Sequence, residues 1–202
     1  MIEKSADDFW KVRVLDKYLE KHKGFACGGC FKNIFNGDKI KDVDVFFGSL
    51  EDFLAAVDHF KNDDGYCLYY ENENVTAFKE IESGVVVELC RKIFGSPEQI
   101  LNQFDFTVTK FAYYNKEVED DDGGHIEKFV LMHEDFFQHL YLKRLVIDDK
   151  VPYPMSTLER MFRYVRYGFS PCKNTKVRIA EEINMLTPEQ IVASESLYAG
   201  VD

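Results

Sequence analysis

Two glycines followed closely by two aspartates constrain the fold of this 202-residue chain more than any other stretch. The run from Phe25 to Cys30, Phe-Ala-Cys-Gly-Gly-Cys, predicts a short apolar strand, a tight turn and the start of a helix. Gly28 and Gly29 have no Cβ atom, so a phosphate group can approach their backbone amides closely. The N-terminus of the following helix also favours an anion. The turn therefore predicts a phosphate-binding site.

The segment 41–47, Lys-Asp-Val-Asp-Val-Phe-Phe, predicts a second strand that carries two carboxylates. Asp42 and Asp44 are two residues apart, so both side chains emerge on one face of a strand. Val43 and Val45 then face the core. Neighbouring carboxylates repel each other unless a cation lies between them, and Mg²⁺ with phosphate oxygens is the usual partner.

A third acid, Glu88, lies inside the apolar run 85–91, which predicts another strand. An ionised carboxylate in the middle of a sheet is costly unless it is paired or binds a metal. Desolvated acids are also common at functional sites, which favours an active-site role for Glu88. The alternative is that Glu88 lies on the solvent face of an edge strand.

Composition and charge exclude several classes of protein. Apolar residues make up 46% of the chain and aromatic residues 15%, which supports a packed core in one domain, with at most a small appendage. No apolar run approaches the roughly 20 residues of a membrane helix, and the N-terminus has no signal-peptide pattern. Five scattered cysteines are typical of the cytoplasm. A net charge of −11 argues against indiscriminate binding to nucleic acid.

Apolar periodicity and turn residues give the order of elements. An amphipathic helix is predicted over residues 5–22 and another from Ser49 to about Phe60. Three strands follow, and a helix is expected from Ser96. Further strands are expected at 127–132 and 145–147, and further helices at 134–142, 170–184 and 188–197. The three successive strands are Tyr66–Tyr70, Val75–Lys79 and Val85–Cys90.

Prolines at 152 and 154 mark a junction, so we expect a first domain of residues 1–150 and a helical segment of residues 151–202. A helix beginning at Ser156 carries Arg160, Arg163 and Arg166 at three-residue intervals, which places them along one face. In an otherwise acidic chain this face favours a phosphate-binding surface. The alternative is a solvated basic face.

In this order, the motifs resemble the polymerase-beta-like nucleotidyltransferase superfamily, and within it the head domain of tRNA CCA-adding enzymes and bacterial poly(A) polymerases. That family has Gly-Gly-x-x-Arg-Asp, Leu-Leu-Gly and Asp-hydrophobic-Asp. This chain has Gly28-Gly29-Cys30-Phe31-Lys32-Asn33, Phe35-Asn36-Gly37 and Asp42-Val43-Asp44. The resemblance covers roughly residues 24–169. It implies an α/β (α+β) fold, a mixed-sheet nucleotidyltransferase head with a small helical C-terminal segment.

Two later motifs extend the resemblance and also depart from it. The family has Arg-Arg-Asp-Phe-Thr-Ile-Asn where this chain has Gln103-Phe104-Asp105-Phe106-Thr107-Val108-Thr109. The loss of the paired arginines removes two cations near the incoming nucleotide or the acceptor strand. The family's arginine-bearing helix ends in Gly-Phe, as Gly168-Phe169 does here. These departures bear on the substrate more than on the fold.

The resemblance implies a two-metal transfer of a nucleoside monophosphate from an NTP, ATP or CTP, to an acceptor hydroxyl, with release of pyrophosphate. The acceptor would be an RNA 3′ end, a protein side chain or a small molecule, and the metal Mg²⁺ or Mn²⁺. The implied catalytic and metal-binding residues are Asp42, Asp44 and Glu88. The implied nucleotide-binding residues are Gly28, Gly29, Lys32, Arg91, Asp105, Arg160 and Arg163.

Two other functions compete with this one. One alternative is that the same fold is kept without catalysis, as a nucleotide-sensing or protein-binding module. Alternatively, Cys27 and Cys30 form a Cys-x-x-Cys motif at a strand-to-helix turn, where a helix N-terminus lowers the pKa of a thiol in redox proteins. A redox function leaves Asp42, Asp44 and Glu88 unexplained, and a zinc site needs a second pair of ligands.

Overall fold

The computed structural model describes residues 1–120, 123–148 and 151–191. The chain forms two compact units. The first consists of residues 1–102 and 109–134, and the second of residues 103–108 and the chain from Asp135 onward. The expected mixed α/β fold is confirmed. The predicted domain division at residue 150 stays a prediction.

An eight-stranded mixed sheet forms the centre of the first unit. Its strands are β1 Ile2–Ser5, β2 Phe25–Cys27, β3 Asp42–Phe47, β4 Tyr66–Glu71, β5 Val75–Glu80, β6 Val86–Phe94, β7 Phe111–Asp120 and β8 Gly123–Met132. Their spatial order is β1-β8-β7-β2-β3-β6-β5-β4. Neighbouring strands are antiparallel except β3 and β6, which are parallel. The three successive strands predicted from the sequence are therefore confirmed as β4, β5 and β6.

Four α-helices belong to the first unit: α1 Asp16–Leu19, α2 Cys30–Asn36, α3 Leu50–Lys61 and α4 Pro97–Leu101. Ser49 caps α3 by accepting a hydrogen bond from the Asp52 amide at 3.2 Å. Ser96 and Gln99 form a capping box at the start of α4, with Pro97 in its first turn. Both helix starts were predicted from these residues.

The N-terminus differs from the prediction of one α-helix over residues 5–22. Residues Ile2–Ser5 pair with β8, a 3₁₀ helix covers Ala6–Leu15, and only α1 is α-helical. Ala6, Val12 and Leu15 are buried, and Phe9 is half-buried. These apolar residues recur every three positions, which suits the three residues per turn of a 3₁₀ helix.

The described residues of the second unit form three α-helices and a small parallel sheet. Its elements are α5 Phe136–Tyr141, β9 Arg144–Leu145, α6 Pro154–Arg166, β10 Ser170–Pro171 and α7 Lys173–Asn184. A 3₁₀ turn covers Thr107–Thr109. The strand expected at 145–147 is shorter than predicted, and Ile147 forms only an isolated bridge with Phe106. Of the helix expected at 188–197, residues beyond 191 lie outside the described part of the chain.

Within the described ranges, no helix has both the length and the apolar character needed to cross a membrane.

Candidate active site

The parallel pairing of β3 and β6 brings the three predicted acids onto one face of the sheet. Asp44 is the direct partner of Glu88, and Asp42 lies two residues before Asp44. Paired residues on adjacent strands project from the same face, about 4.8 Å apart. Val43 and Val45 are fully buried on the other face, whereas Asp44 and Glu88 are half-buried and Asp42 is exposed. The alternation predicted for residues 42–45 is therefore present.

A tyrosine that the sequence did not single out contacts this group. The Tyr70 hydroxyl donates a hydrogen bond of 2.7 Å to Glu88 Oε1. Burial raises the pKa of the Tyr70 phenol, and the hydrogen bond to Glu88 raises it further. The phenol therefore keeps its proton near neutral pH and acts as a donor. Nothing in the sequence near β4 identifies Tyr70, since the contact depends on the register of three strands.

Three buried cysteines lie near the acids. Burial raises the pKa of Cys27, Cys30 and Cys90 well above its usual value, and the negative charge of Asp44 raises each of them further. All five cysteines are free thiols. The expected lowering of the thiol pKa at the start of α2 is therefore wrong, because complete burial outweighs the favourable end of the helix. This environment disfavours the thiolate that redox chemistry requires.

The Gly28-Gly29 turn has the predicted position but a different hydrogen-bonding role. Gly28 has φ 94°, a left-handed conformation that favours glycine. Its amide donates to the Phe111 carbonyl at 3.1 Å, so the expectation that this amide is open to a phosphate is wrong. Gly29 is the N-cap of α2 and lacks a capping side chain. Phosphate binding at Gly29 stays a prediction.

Two cations predicted to bind nucleotide have partners within the first unit. The Lys32 ammonium donates to the Asn33 side-chain oxygen. Arg91 donates through Nε to the Glu73 carbonyl at 2.9 Å and through Nη2 to the Asn72 carbonyl. Its Nη1 also lies 3.7 Å from a Glu71 carboxylate oxygen. Arg91 thus stabilises the turn between β4 and β5, and its contact with nucleotide stays a prediction.

In the second unit, Asp105 and Arg160 form an ion pair of 2.8 Å. Asp105 is 1% exposed and also accepts hydrogen bonds from the Thr157 hydroxyl at 2.7 Å and the Phe106 amide at 2.9 Å. Its carboxylate is therefore satisfied by its own chain. Arg163, one turn further along α6, is half-buried and pairs with no acid among the described residues. The nucleotide-binding roles of these residues stay predictions.

The donor atoms around Asp44 suit a hard divalent cation, because carboxylate oxygens are the ligands that Mg²⁺ and Mn²⁺ prefer. Across residues 1–120, 123–148 and 151–191, no three such groups are already arranged to hold an ion. The Glu88 carboxylate is engaged by Tyr70. The residues present therefore fit the metal by their chemistry.

Solved structures of CCA-adding enzymes share this fold. One in complex with ATP has a TM-score of 0.62 and 13% sequence identity, over 96% of this chain and 50% of that chain. One from Thermotoga maritima, complexed with tRNA, has a TM-score of 0.59 and 15% identity, over 96% of this chain and 50% of that chain. At this identity the likeness shows the fold alone. It confirms the expected polymerase-beta-like nucleotidyltransferase fold.

Sequence comparisons lead to one family. "Gabija anti-defense 2" of Bacillus phage SPbetaL7 is 27% identical over 162 residues, which are 80% of this chain and 37% of that protein. The chain thus spans well under half the length of this curated relative. The model of the Gabija anti-defense 2 family protein matches residues 1–143. The chain therefore belongs to the Gabija anti-defense 2 family, on a polymerase-beta-like nucleotidyltransferase fold.

Proposed function

We propose that this protein is a metal-dependent nucleotidyltransferase that transfers a nucleoside monophosphate from an NTP to an acceptor hydroxyl and releases pyrophosphate. The observation that carries the proposal is the pairing of Asp44 with Glu88 on parallel strands, with Asp42 on the same face. Carboxylates in this arrangement repel one another in the absence of a cation. A purely structural role leaves that cost unexplained.

Asp42, Asp44 and Glu88 would hold Mg²⁺ or Mn²⁺. When bound, such an ion lowers the pKa of an acceptor hydroxyl and neutralises charge on the triphosphate. Asp44 and Glu88 are half-buried, so they remain accessible to a ligand while their charges are less screened than in bulk water.

Glu88 is the residue that accepts the proton of the acceptor hydroxyl. The acceptor oxygen forms a bond with the α-phosphorus, and the bond from that phosphorus to the pyrophosphate oxygen breaks. We propose ATP or CTP as the donor. The N-cap residue Gly29, the first turn of α2 and the side chain of Lys32 would bind the phosphate groups.

The name of the phage relative gives the biological context. An anti-defence protein interferes with a bacterial defence system, so we propose that the acceptor belongs to the Gabija system that the relative is named for. This acceptor is an RNA 3′ end, a protein side chain or a small molecule. The five free thiols suit a reducing compartment, and we propose that the protein acts in the bacterial cytoplasm.

A second candidate function is a module on the same fold that lacks catalysis and binds a nucleotide or a protein. Two observations favour it. Gln103 and Phe104 replace the paired arginines of the CCA-adding enzymes. In the same motif, the Asp105 carboxylate already accepts a hydrogen bond from Thr157 and forms an ion pair with Arg160.

An acceptor screen separates these functions. Purified protein receives each of the four α-labelled NTPs with Mg²⁺, alone, with total RNA, or with lysate of cells that carry a Gabija system. Label in RNA, in a protein band or in a small molecule identifies the acceptor class. Nucleotide binding without label in any fraction would support the inactive module, and the absence of both would contradict the proposed function.

A further inference from the structure

Tyr70 lies in the same transverse row of the sheet as Glu88 and Asp44. The register pairs Tyr70 with Ala77 and Ala77 with Glu88, so the three side chains project from one face. Ala77 carries only a methyl group, which leaves room for the tyrosine ring to cross β5. The hydroxyl then reaches Glu88 Oε1 at 2.7 Å. Glu88 in turn pairs with Asp44.

A β-bulge sets the direction of Tyr70. Leu68 pairs with Phe78 and Tyr70 pairs with Ala77, so Tyr69 is an extra residue on β4. In a regular register, without the bulge, Tyr69 would be the residue opposite Ala77. A bulge re-aims the side chains that follow it and is over-represented next to active sites. The backbone of β4 thus directs Tyr70, and not its exposed neighbour Tyr69, towards Glu88.

We propose that Tyr70 is itself an acceptor, so that the protein attaches a nucleoside monophosphate to its own Tyr70; this inference rests on the proposed function. A hydroxyl nucleophile within hydrogen-bond reach of a carboxylate base is the arrangement that activates such a group. Tyr70 is half-buried, so its hydroxyl remains within reach of a bound nucleotide.

The transfer step balances with an NTP as the only co-substrate. Tyr70 Oη forms a bond with the α-phosphorus, and the bond from that phosphorus to the bridging oxygen of the β-phosphate breaks. The phenol proton passes to Glu88. The products are a tyrosine phosphodiester and pyrophosphate.

This modification changes the site in which it forms. Once esterified, the Tyr70 oxygen carries no hydrogen and no longer donates to Glu88. The carboxylate is then released from its present partner. Each chain has a single Tyr70, so the expected stoichiometry is one nucleoside monophosphate per chain.

The experiment maps the adduct on wild-type protein. Purified protein is incubated with each α-labelled NTP and Mg²⁺ without added acceptor, digested, and analysed by mass spectrometry. We expect one nucleoside monophosphate on the peptide that contains Tyr70. Tyr70→Phe should lose at least nine-tenths of the label, on the order of tenfold, while the matched control Tyr69→Phe should keep it.

Nucleotide binding, measured by calorimetry on the same preparations, separates two kinds of failure. Protein that binds NTP and labels an external acceptor but carries no adduct on Tyr70 overturns this inference and leaves the proposed function intact. Protein that neither binds NTP nor transfers label overturns both. An adduct mapped to another residue, or retained by folded Tyr70→Phe, also overturns the inference.

Discussion

Asp44 has a carboxylate on one side and a buried thiol on the other. Its partner on β6 is Glu88, and its partner on β2 is Cys27. The charge of Asp44 helps to raise the pKa of Cys27, Cys30 and Cys90, so these thiols remain neutral beside the acids. At the scale of single residues, the cysteines therefore fill space close to the site, and the carboxylates carry the charge.

The first prediction concerns the two cysteines of the Cys-x-x-Cys motif. Cys27→Ala combined with Cys30→Ala should retain most nucleotidyl transfer, because neither thiol takes part in the reaction. Stability should fall by roughly 1–3 kcal/mol, since both side chains are buried and their removal leaves small cavities. Transfer rate and urea denaturation measure the two effects. Complete loss of transfer in a folded double variant would restore the thiol hypothesis.

The second prediction concerns His22. Burial lowers the pKa of His22 to about 4. Nε2 lies 2.9 Å from the Tyr18 carbonyl and Nδ1 accepts from the Gly24 amide at 2.9 Å, so the neutral ring already makes both bonds. Its folded pKa is below its unfolded value, so this stabilisation is complete above about pH 6.5 and is lost as the pH falls towards 4. The loss is on the order of 3 kcal/mol.

Urea midpoints between pH 7.5 and pH 4 measure this effect. The substitution His22→Gln should flatten the decline in stability between pH 6.5 and pH 4. The matched control, His125→Gln, changes an exposed histidine and should leave the decline unchanged. An unaltered pH profile in His22→Gln would show that another group causes the decline.

At the scale of elements, Glu80 joins α1 to the end of β5. It accepts hydrogen bonds from Lys17 Nζ at 2.6 and 2.8 Å and from the Tyr18 hydroxyl at 2.9 Å. Although burial raises the pKa of Glu80, the hydrogen bonds, led by that of Lys17, hold it below its usual value. The stabilisation is therefore present at neutral pH and is lost as the pH falls through the carboxylate range.

The third prediction is that Glu80→Gln lowers the free energy of unfolding by about 2 kcal/mol at pH 7, because charged hydrogen bonds to a buried group are lost. Chemical denaturation measures the change. Glu82→Gln, two residues along and exposed, is the matched control and should change stability by less than about 0.5 kcal/mol. Equal effects from the two substitutions would contradict this role for Glu80.

Elements with strong local patterns could be predicted from the sequence. Short runs of strand-forming residues between turn residues predicted β4, β5 and β6. Ser49 and Ser96 predicted the starts of α3 and α4. Strand β1 could not be predicted, because four exposed residues gain their structure only by pairing with residues 129–132. The 3₁₀ helix was missed because apolar residues three positions apart fit both helix types.

Part of the candidate site could likewise be predicted from the sequence, and part could not. The shared face of Asp42 and Asp44 follows from local alternation, and the placement of Glu88 came from the resemblance to a known family. The contact of Tyr70 with Glu88 depends on a bulge and on pairing across three strands, which no local pattern specifies. The partners of Arg91 and the Asp105–Arg160 pair are likewise products of tertiary structure.

At the scale of the whole molecule, the net charge of −11 opposes binding of a polyanionic triphosphate. The fourth prediction is therefore that ATP or CTP stabilises the protein only when Mg²⁺ or Mn²⁺ is present. At about 100 times Kd, bound nucleotide should add about 2.7 kcal/mol. A thermal shift assay with and without EDTA measures this. Equal stabilisation in EDTA would contradict metal-dependent binding.

The central claim is that the carboxylates on β3 and β6 carry out nucleotidyl transfer, and transfer by single aspartate variants tests it most directly. Label transferred from α-labelled NTP to the acceptor found by the screen is measured for wild type, Asp44→Asn and Asp38→Asn, with circular dichroism to verify folding. We expect Asp44→Asn to lose transfer by about 10³-fold or more. Asp38→Asn, a matched change at an exposed position outside the sheet, should keep wild-type transfer. Wild-type transfer by folded Asp44→Asn would contradict the account.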